Sequence, residues 1–337
     1  MHTSRRPSRR SVLVTLTALA VVTAILGVSV GAVRISFGEV LACLLGRGDP
    51  TTSDYLILSQ IRLPRVLLGL LVGCGLALSG GTMQGLFRNP LASPYVLGVA
   101  SGASTGAALV MLLDLRGIYF LPLGAFVGGA LAAGVVYGLA RGRARRTSVY
   151  TLILAGVAVG ALFSAVTSFV IYLSSGSERA TDVLFWIMGG LGRATWASVW
   201  VSTPIILFCS VVILALSRDL NALAMGEEGA FHLGIDAEKS RRLLMGVATL
   251  LTSAAVAFSG TIGFVGLIIP HIMRLIVGPD HRFLLPATAV AGSIFLVWAD
   301  MAARTVLSPA ELPVGIITAF FGAPFFLYLL KTKGSLM

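Results

Sequence analysis

Few residues in this sequence are of types that could do chemistry, and they form no catalytic or metal-binding pattern. The three cysteines lie far apart and form no C-x-x-C pair, so the sequence indicates neither a disulfide framework nor a zinc site. The four histidines do not have metal-ligand spacing either. These residues are Cys43, Cys74, Cys209, His2, His232, His271 and His281. We therefore expect no enzyme activity, metal or cofactor in this chain.

The sequence also lacks its own source of free energy for transport. An ATPase needs a glycine-rich loop ending in Gly-Lys-Ser/Thr, because the loop amides and the lysine hold the phosphates. None of the three lysines follows a glycine. An ion-driven carrier usually has carboxylates near the bilayer midplane, yet here the acidic residues avoid the centres of the apolar segments. Asp300 lies four residues before Arg304, a spacing that favours a local pair. The remaining option is a pore-forming subunit driven from outside its own chain.

The composition is that of an integral membrane protein. Of 337 residues, 56% are hydrophobic and only 12% are charged, whereas soluble domains carry about 25% charged residues. A net charge of +11 would suggest nucleic acid for a soluble chain. Here it indicates basic cytoplasmic loops, because basic residues resist translocation. Membrane lipid, and no nucleic acid, is therefore expected among the partners.

Apolar runs of membrane-spanning length predict ten transmembrane helices. The first follows a basic tail at 1–10, and its run from Val12 to Val33 is too long for the core of a signal peptide, so a retained helix is expected. With a cytoplasmic N-terminus, most of the 25 Lys and Arg residues fall in cytoplasmic segments, which favours an N-in, C-in topology. The predicted helices are 11–33, 63–81, 94–113, 118–140, 148–173, 197–216, 241–261, 263–278, 284–303 and 312–330.

Glycines indicate how these helices pack. The chain has 39 of them, and several occur at the small-xxx-small spacing that allows close helix approach in lipid. Gly102/Gly106 and Gly124/Gly128 are two such pairs. A faint internal echo relates 77–90 to 257–270, and internal repeats are common in transporters. Glycine spacing alone fits a tightly packed scaffold as well as a transporter.

The longest polar interruption is SRDLNALAMGEEGAFHLGIDAEKSRR, residues 217–242. It predicts two short helices, on LNALAM and EEGAFHLG, separated at Gly226 and closed by Gly234. Glu227 and Glu228 open the second helix, whose positive N-terminal end favours them. The segment also carries apolar side chains that a solvated loop would not need, which suggests a protein partner: Leu223, Met225, Phe231 and Leu233.

Three longer stretches carry a resemblance to a known family. They are RLPRVLLGLLVGCGLALSGGTMQGLFRNPLASPYVLGVASGA (62–103), GFVGLIIPHIMRLIVGPDHRFLLP (263–286) and ELPVGIITAFFGAPFFLYLL (311–330). In order, and over nearly the whole chain, they resemble FecCD-type permeases of type II ABC importers for iron–siderophores, haem and vitamin B12. The resemblance implies an all-α membrane fold of about ten helices forming a single permease domain over 1–337, with helices two to five and seven to ten related as an inverted repeat.

The resemblance also implies a role for the polar segment. In this family the cytoplasmic connection between helices six and seven, here 217–240, forms two short coupling helices that sit in a groove of the ATPase subunit. The alternative is a solvated loop between two spans. The residues expected to couple to the ATPase are Leu220, Leu223, Met225, Gly226, Glu227, Glu228, Phe231, Leu233 and Gly234.

Three arginines at the opposite side match a second docking site of the family. Arg62 and Arg65 flank a proline at the start of helix two, and Arg304 ends helix nine. In the family, arginines at the matching places receive glutamates from the two lobes of the substrate-binding protein. The alternative is that these arginines anchor lipid headgroups at the membrane surface.

Four residues match positions that narrow the cytoplasmic end of the family's pathway: Asn89, Leu91, Thr147 and Ser148. An ordinary loop start is the alternative for the Asn-Pro pair at 89–90. His271 could be considered as a ligand for iron or haem, but a structural histidine in a packed helix is expected instead.

These expectations describe a multi-pass protein of a bacterial cytoplasmic membrane that acts as the permease of an ABC importer. Its expected partners are a second permease copy, two ATPase subunits that bind ATP and magnesium, and one extracytoplasmic binding protein. The preferred cargo is an iron chelate, with haem or vitamin B12 as the alternative. An ion-coupled carrier and a receptor or scaffold without transport remain the rival classes.

Overall fold

The computed structural model describes residues 8–140 and 149–333, and the described residues form an all-helical bundle without β-strands. A π-helical turn (Ile57–Arg62) joins α3 to α4, and a 3-10 turn (Pro94–Leu97) precedes α5. The helices are α1 (Arg9–Ser29), α2 (Phe37–Leu44), α3 (Ser53–Leu56), α4 (Leu63–Leu86), α5 (Val99–Leu112), α6 (Phe120–Ala140), α7 (Val149–Leu173), α8 (Glu178–Met188), α9 (Trp196–Ala215), α10 (Ser217–Met225), α11 (Glu227–His232), α12 (Ala237–Ser259), α13 (Val265–Val277), α14 (His281–Thr305) and α15 (Val314–Lys333).

The prediction of an all-α membrane protein is confirmed. Seven of the described helices are long and apolar enough to cross a membrane, namely α1, α4 with its preceding turns, α6, α7, α9, α12 and α14. Three shorter apolar helices, α5, α13 and α15, occupy the remaining predicted spans. Each predicted span therefore corresponds to one helix, while the number that cross the bilayer and the N-in orientation stay predictions.

Helix α4 lies at the centre of the bundle, and glycines let its neighbours approach it closely. A Cβ atom on Gly73 would overlap the carbonyl group of Gly292 in α14, and one on Gly80 would overlap Gly266 in α13. Helices α5 and α6 interlock in the same way through Gly102 with Gly128, and through Gly106 with Gly124. Close backbone packing, the predicted purpose of these glycines, is therefore what the structure has.

The packing of the second to fifth predicted spans recurs in the seventh to tenth. Helices α5, α6 and α7 pack against one another, and so do α13, α14 and α15. Across the two sets, α4 packs on α14 and α13, while α12 packs on the equivalent α6 and α5. The sequence echo between 77–90 and 257–270 does not follow this relation. Its matched serines lie at different places in the equivalent helices, because Ser79 is inside α4 whereas Ser259 is the last residue of α12.

The two short helices α5 and α13 both begin inside the bundle. The 3-10 turn before α5 and the irregular stretch 260–264 before α13 meet where the Tyr95 hydroxyl donates to the Ile262 carbonyl, at 2.7 Å. Non-helical backbone at this depth needs polar partners within the protein, because hydrocarbon offers none. Phe264, with φ of 67°, turns the chain into α13 from a left-handed conformation.

Candidate functional site

The predicted docking sites lie at opposite ends of α4. Arg65 is in its first turn, and Arg88 follows its last turn close to α10. We call these two regions of the bundle the Arg65 end and the α10 end. The helix has 24 residues, which at 1.5 Å per residue separates the two ends by about 36 Å.

At the α10 end, the two predicted short helices are confirmed. Helix α10 ends at Met225, and Gly226 turns the chain with a φ of 116°, which only glycine adopts easily. Helix α11 follows directly, and Gly234 closes the segment with a φ of 72°. The two helices therefore form a compact elbow that connects α9 to α12, with α10 packed on α4 and α14.

The apolar side chains of this elbow divide into two groups. Met225, Phe231 and Leu233 are 71%, 78% and 59% exposed. Leu220 and Leu223 are instead buried among the core residues that also include Leu86 and Leu244. The expectation that Leu220 and Leu223 contact a partner directly is therefore corrected, because both side chains are already covered by the permease itself. The free apolar surface consists of Met225, Phe231 and Leu233, with Glu228 exposed beside it.

The predicted gate residues are only partly described. Arg88 adopts a left-handed conformation with φ of 49°. The Asn89 side chain then accepts a hydrogen bond from the Leu91 amide at 2.8 Å, which stabilises the turn. Asn89 is exposed and Leu91 is half-buried. Thr147 and Ser148 lie outside the described residues, so the gate assigned to these four positions stays a prediction.

At the Arg65 end, two of the three predicted arginines, Arg65 and Arg304, converge on two carboxylates. Arg65 donates to buried Asp300 through Nε at 3.0 and 3.2 Å, and through Nη1 to both oxygens of Glu311 at 3.0 and 2.9 Å. Arg304 lies 3.1 Å from the same Asp300, which confirms the predicted local pair. Asp300 is therefore shared by two guanidinium groups.

The same arginines also hold the end of α1. Arg62 donates to the carbonyls of Val28 and Ser29 at 3.0 and 2.7 Å, and also to Val33. Arg304 donates to the Gly27 carbonyl at 3.0 Å. Carbonyls of a last helical turn have no partner within their own helix, so these guanidinium groups satisfy them and bind α1 to α4 and α14.

The burial of these arginines corrects the assumption that they form an exposed basic surface. Arg62, Arg65 and Arg304 are only 4%, 6% and 4% exposed in this chain, and each donates hydrogen bonds inside it. Lipid-headgroup anchoring requires exposed guanidinium groups, which this chain does not provide at these positions. Glu311 is the accessible member of the cluster, with its side chain 44% exposed.

Glu311 also connects the cluster to the last helix. It is three residues before Val314, where α15 begins. The Leu312 amide donates to the Ala303 carbonyl at 3.0 Å, and Gly315 approaches the Met188 carbonyl too closely to carry a Cβ atom. Glu311 thus links Arg65 of α4 to the start of α15, and its carboxylate is partly exposed. A cavity of about 390 Å³, lined by Arg65, Glu311 and Trp186, opens beside it.

His271 lies where a structural histidine was expected, 4% exposed in α13. It borders a cavity of about 600 Å³ at the α10 end, together with Arg274 and His281. Within the described ranges, no group of three or more His, Cys, Asp or Glu side chains could hold a metal ion.

Sequence reasoning missed several of the residues that build these sites. Helix α2 could have been predicted from the sequence, because Ser36 and Glu39 form a capping box ahead of an apolar run. The roles of Glu311 and Asn221 could not, because each residue contacts partners more than 50 positions away. Their partners are set by the packing of helices, which spacing along the chain does not reveal.

Comparison with known proteins identifies the class of protein to which this fold belongs. The model of the FecCD transport family matches residues 19–332. The chain therefore belongs to the FecCD transport family, a family of membrane permeases, and it is a multi-pass protein of the cytoplasmic membrane.

Individual relatives agree with this placement. The chain is 47% identical to the cobalamin import system permease protein BtuC of Halobacterium salinarum over 85% of its own length and 76% of the relative's. It is 38% identical to the hemin transport system permease protein HmuU of Yersinia pestis over 96% of both chains. A solved inward-facing structure of a metal-chelate type ABC transporter superposes with a TM-score of 0.86 at 35% identity, covering 96% of this chain and 99% of that one.

Proposed function

We propose that this chain is the permease subunit of an ABC importer for a metal chelate, driven by ATP hydrolysis on separate subunits. The observation that carries the proposal is the exposed apolar surface of Met225, Phe231 and Leu233 on a cytoplasmic elbow. Three large apolar side chains outside the membrane need a protein partner. We assign this partner to the ATPase, because this chain has no phosphate-binding loop of its own.

The proposed complex contains two copies of this permease, two ATPases at the α10 ends and one binding protein across the Arg65 ends. Helices α7 and α15 carry exposed apolar side chains such as Leu154, Tyr172 and Phe320. We assign the pairing of the two permease copies around the pathway to these helices. The remaining exposed apolar surface of the membrane-spanning helices faces lipid.

In this proposal, ATP binding closes the two ATPases and moves the elbows of α10 and α11 as rigid bodies. Rigid-body movement of packed helices is a common way to alternate access between two faces. Asn89, Leu91, Thr147 and Ser148 close the cytoplasmic end of the pathway. Because coupling is reciprocal, docking of the loaded binding protein at the Arg65 end changes ATP binding at the other end.

Docking of the binding protein is proposed to involve Arg62, Arg65 and Arg304 through the accessible edge of their cluster. The ion pairs of the cluster join two arginines, Arg65 and Arg304, to two carboxylates and balance in charge. Arg62 beside them donates to backbone carbonyls and pairs with neither carboxylate, so it supplies the positive charge at this end. An acidic side chain of the binding protein complements this charge. Its approach to Arg65 passes Glu311, the exposed carboxylate of the cluster.

The preferred cargo is an iron chelate. The relatives named above carry cobalamin or haemin, and the solved relative is of the metal-chelate type. Cobalamin is the second candidate, because the cobalamin permease is 47% identical to this chain. All three cargoes are large metal complexes, which agrees with a wide pathway between two permease copies.

The test is an uptake measurement with the assembled transporter. The permease, its ATPase and its binding protein are placed in liposomes, and entry of a ferric siderophore, haem and cobalamin is measured with and without ATP. We expect ATP-dependent entry of the iron chelate. Entry of cobalamin alone would replace the cargo assignment, and entry of none of the three would contradict the proposed function.

A further inference from the structure

Helix α10 is fastened to the membrane helices by polar contacts as well as by its buried leucines. Arg88, after the end of α4, donates through Nε to the Leu223 carbonyl at 3.0 Å. Asp219 accepts a hydrogen bond from Ser240 of α12 at 2.7 Å. The third contact reaches α14, and Asn221 provides it.

The Asn221 side chain makes three hydrogen bonds to residues at the start of α14. Its Nδ2 atom donates to Asp280 Oδ1 at 2.8 Å. Its Oδ1 atom accepts from the His281 backbone amide at 2.9 Å and lies 2.7 Å from His281 Nδ1. The orientation of the amide is fixed chemically, because the backbone amide only donates and the ionised Asp280 only accepts. No other side chain can replace asparagine here without losing one of these bonds.

The place where Asn221 binds is the end of a helix that spans both functional ends. Helix α14 has 25 residues, or about 37 Å. Asp280 caps its first turn, and near its other end Asp300 and Arg304 form the centre of the Arg65 cluster. A displacement of α10 that pulls on Asn221 therefore acts on the helix that carries the opposite docking site.

Asn221 lies beside a cavity between α10 and α13. The cavity of about 600 Å³ opens beside it, lined by Ala224 of α10 and by Arg274 and Leu275 of α13. Among its lining atoms, His281 Nε2 and Gln84 Oε1 are buried and have no hydrogen-bond partner within the described part of the chain. Leu220 of α10 packs in the same buried cluster as Leu285 of α14, and the hydrogen bonds of Asn221 add the polar attachment of α10 to the start of α14.

We infer that Asn221 is the positioning residue that transmits movement of the ATPase-docked elbow to α14, and hence across the membrane to the Arg65 end. This inference rests on the proposed function, since it names how the proposed partner acts on the permease. It assigns no contact with ATPase or cargo to Asn221 itself. Its role is to make α10 and α14 move together.

The test uses Asn221→Asp in the complete complex of permease, ATPase and binding protein in liposomes. The carboxylate introduced at position 221 would oppose that of Asp280 across about 2.8 Å, and two ionised carboxylates at that distance cannot both be accommodated. We expect the ATPase to stay bound and to hydrolyse ATP. Cargo taken up per ATP hydrolysed should fall at least about fivefold, the lower range for coupling between sites. Stimulation of hydrolysis by the binding protein should be lost.

Two further variants separate a positioning role from a general loss of structure. Asp280→Asn alone keeps an acceptor opposite Asn221 Nδ2 and should leave uptake per ATP close to wild type. Asn221→Asp with Asp280→Asn restores a donor–acceptor pair with the roles exchanged. It should recover only part of the coupling, because the amide that donates to the new carboxylate no longer caps the Arg282 amide. Arg10→Gln, an exposed change of the same net charge, is the matched control.

The possible outcomes are distinct. Unchanged uptake per ATP in Asn221→Asp overturns the inference, and so does loss of the ATPase from that variant, which would make Asn221 a docking scaffold only. A double variant no better than the single one also overturns it, since the carboxylate pair would not be the cause. If wild type itself shows no ATP-driven uptake, the proposed function fails.

Discussion

The two ends of this bundle place polar and apolar residues in opposite ways. At the Arg65 end, charged side chains are buried, and Asp300 is 2% exposed between two guanidinium groups. At the α10 end, Phe231 is apolar and 78% exposed. A buried charge with all its partners stabilises the subunit that contains it, whereas an exposed apolar side chain outside the membrane gains its stabilisation only from another subunit. The comparison separates residues that stabilise the permease itself from residues that are available to bind another subunit.

The largest effect is expected from removing the charge at the centre of the buried cluster. Asp300→Ala leaves two arginines without their shared carboxylate, and breaking a buried pair typically costs about 3–5 kcal/mol. The thermal unfolding midpoint of the purified permease should fall accordingly. Asp182→Ala, which removes an exposed partner of Arg193, is the control and should leave the midpoint nearly unchanged. Equal midpoints for both variants would show that the Arg65 cluster does not stabilise the fold.

The next effect concerns the apolar surface of the elbow. Phe231→Asp should leave unfolding unchanged, because most of the side chain is exposed, but it should abolish ATPase co-purification. A central aromatic contact of an interface is typically worth about 2 kcal/mol or more, so binding should weaken at least about 30-fold. Leu223→Asp should instead lower the unfolding midpoint, since Leu223 is buried.

Leu45→Asp provides the matched control for Phe231→Asp. Leu45 is also exposed, at 59%, and follows α2 away from the elbow. Co-purification of the ATPase at the wild-type level with Phe231→Asp would remove the elbow as the docking surface.

These two ends also indicate how far sequence reasoning could go. The position of the elbow was predictable, because Gly226 and Gly234 interrupt a polar stretch at spacings that permit only short helices. The spans were predictable from apolar length. Which apolar side chains face inward was not predictable, because Leu223 and Phe231 are both apolar and differ in what lies beside them in three dimensions. Likewise, the sequence identifies Arg65 but not the distant Glu311 that neutralises it.

A smaller effect is expected where the Arg65 cluster reaches solvent. Glu311→Gln removes the exposed carboxylate that occupies Arg65 Nη1, so an acidic side chain of the binding protein no longer competes for it. Since one exposed ion pair is worth about 0.2–1 kcal/mol, association should strengthen by about 1.4- to 5-fold. Added salt should reduce the gain by screening.

Asp182→Asn changes the net charge equally and separates this local competition from general electrostatics. It should strengthen association of the binding protein less than Glu311→Gln does. Equal gains in the two variants would mean that Glu311 acts only through the overall charge of this face.

The smallest effect is a pH dependence at the α10 end. Hydrogen bonds from the Arg282 side chain, and then from Asn221, hold the pKa of Asp280 well below its ordinary value of 3.8. For a carboxyl whose folded pKa is depressed, the stabilisation is complete above the ordinary pKa and is lost as pH falls toward the folded pKa. The unfolding midpoint should therefore decline below about pH 4, and this part of the decline should be absent in Asp280→Asn. An identical decline in both proteins would exclude Asp280 as its source.

The dependence of transport on a separate ATPase is tested by comparing two energy sources in liposomes of the same composition. Vesicles containing the permease with its ATPase and binding protein are given ATP, and vesicles containing the permease alone are given a proton or sodium gradient. Cargo uptake is expected only in the first case, with loss of that uptake in Phe231→Asp. Uptake by the permease alone on an ion gradient would contradict this expectation and would make this chain a secondary carrier.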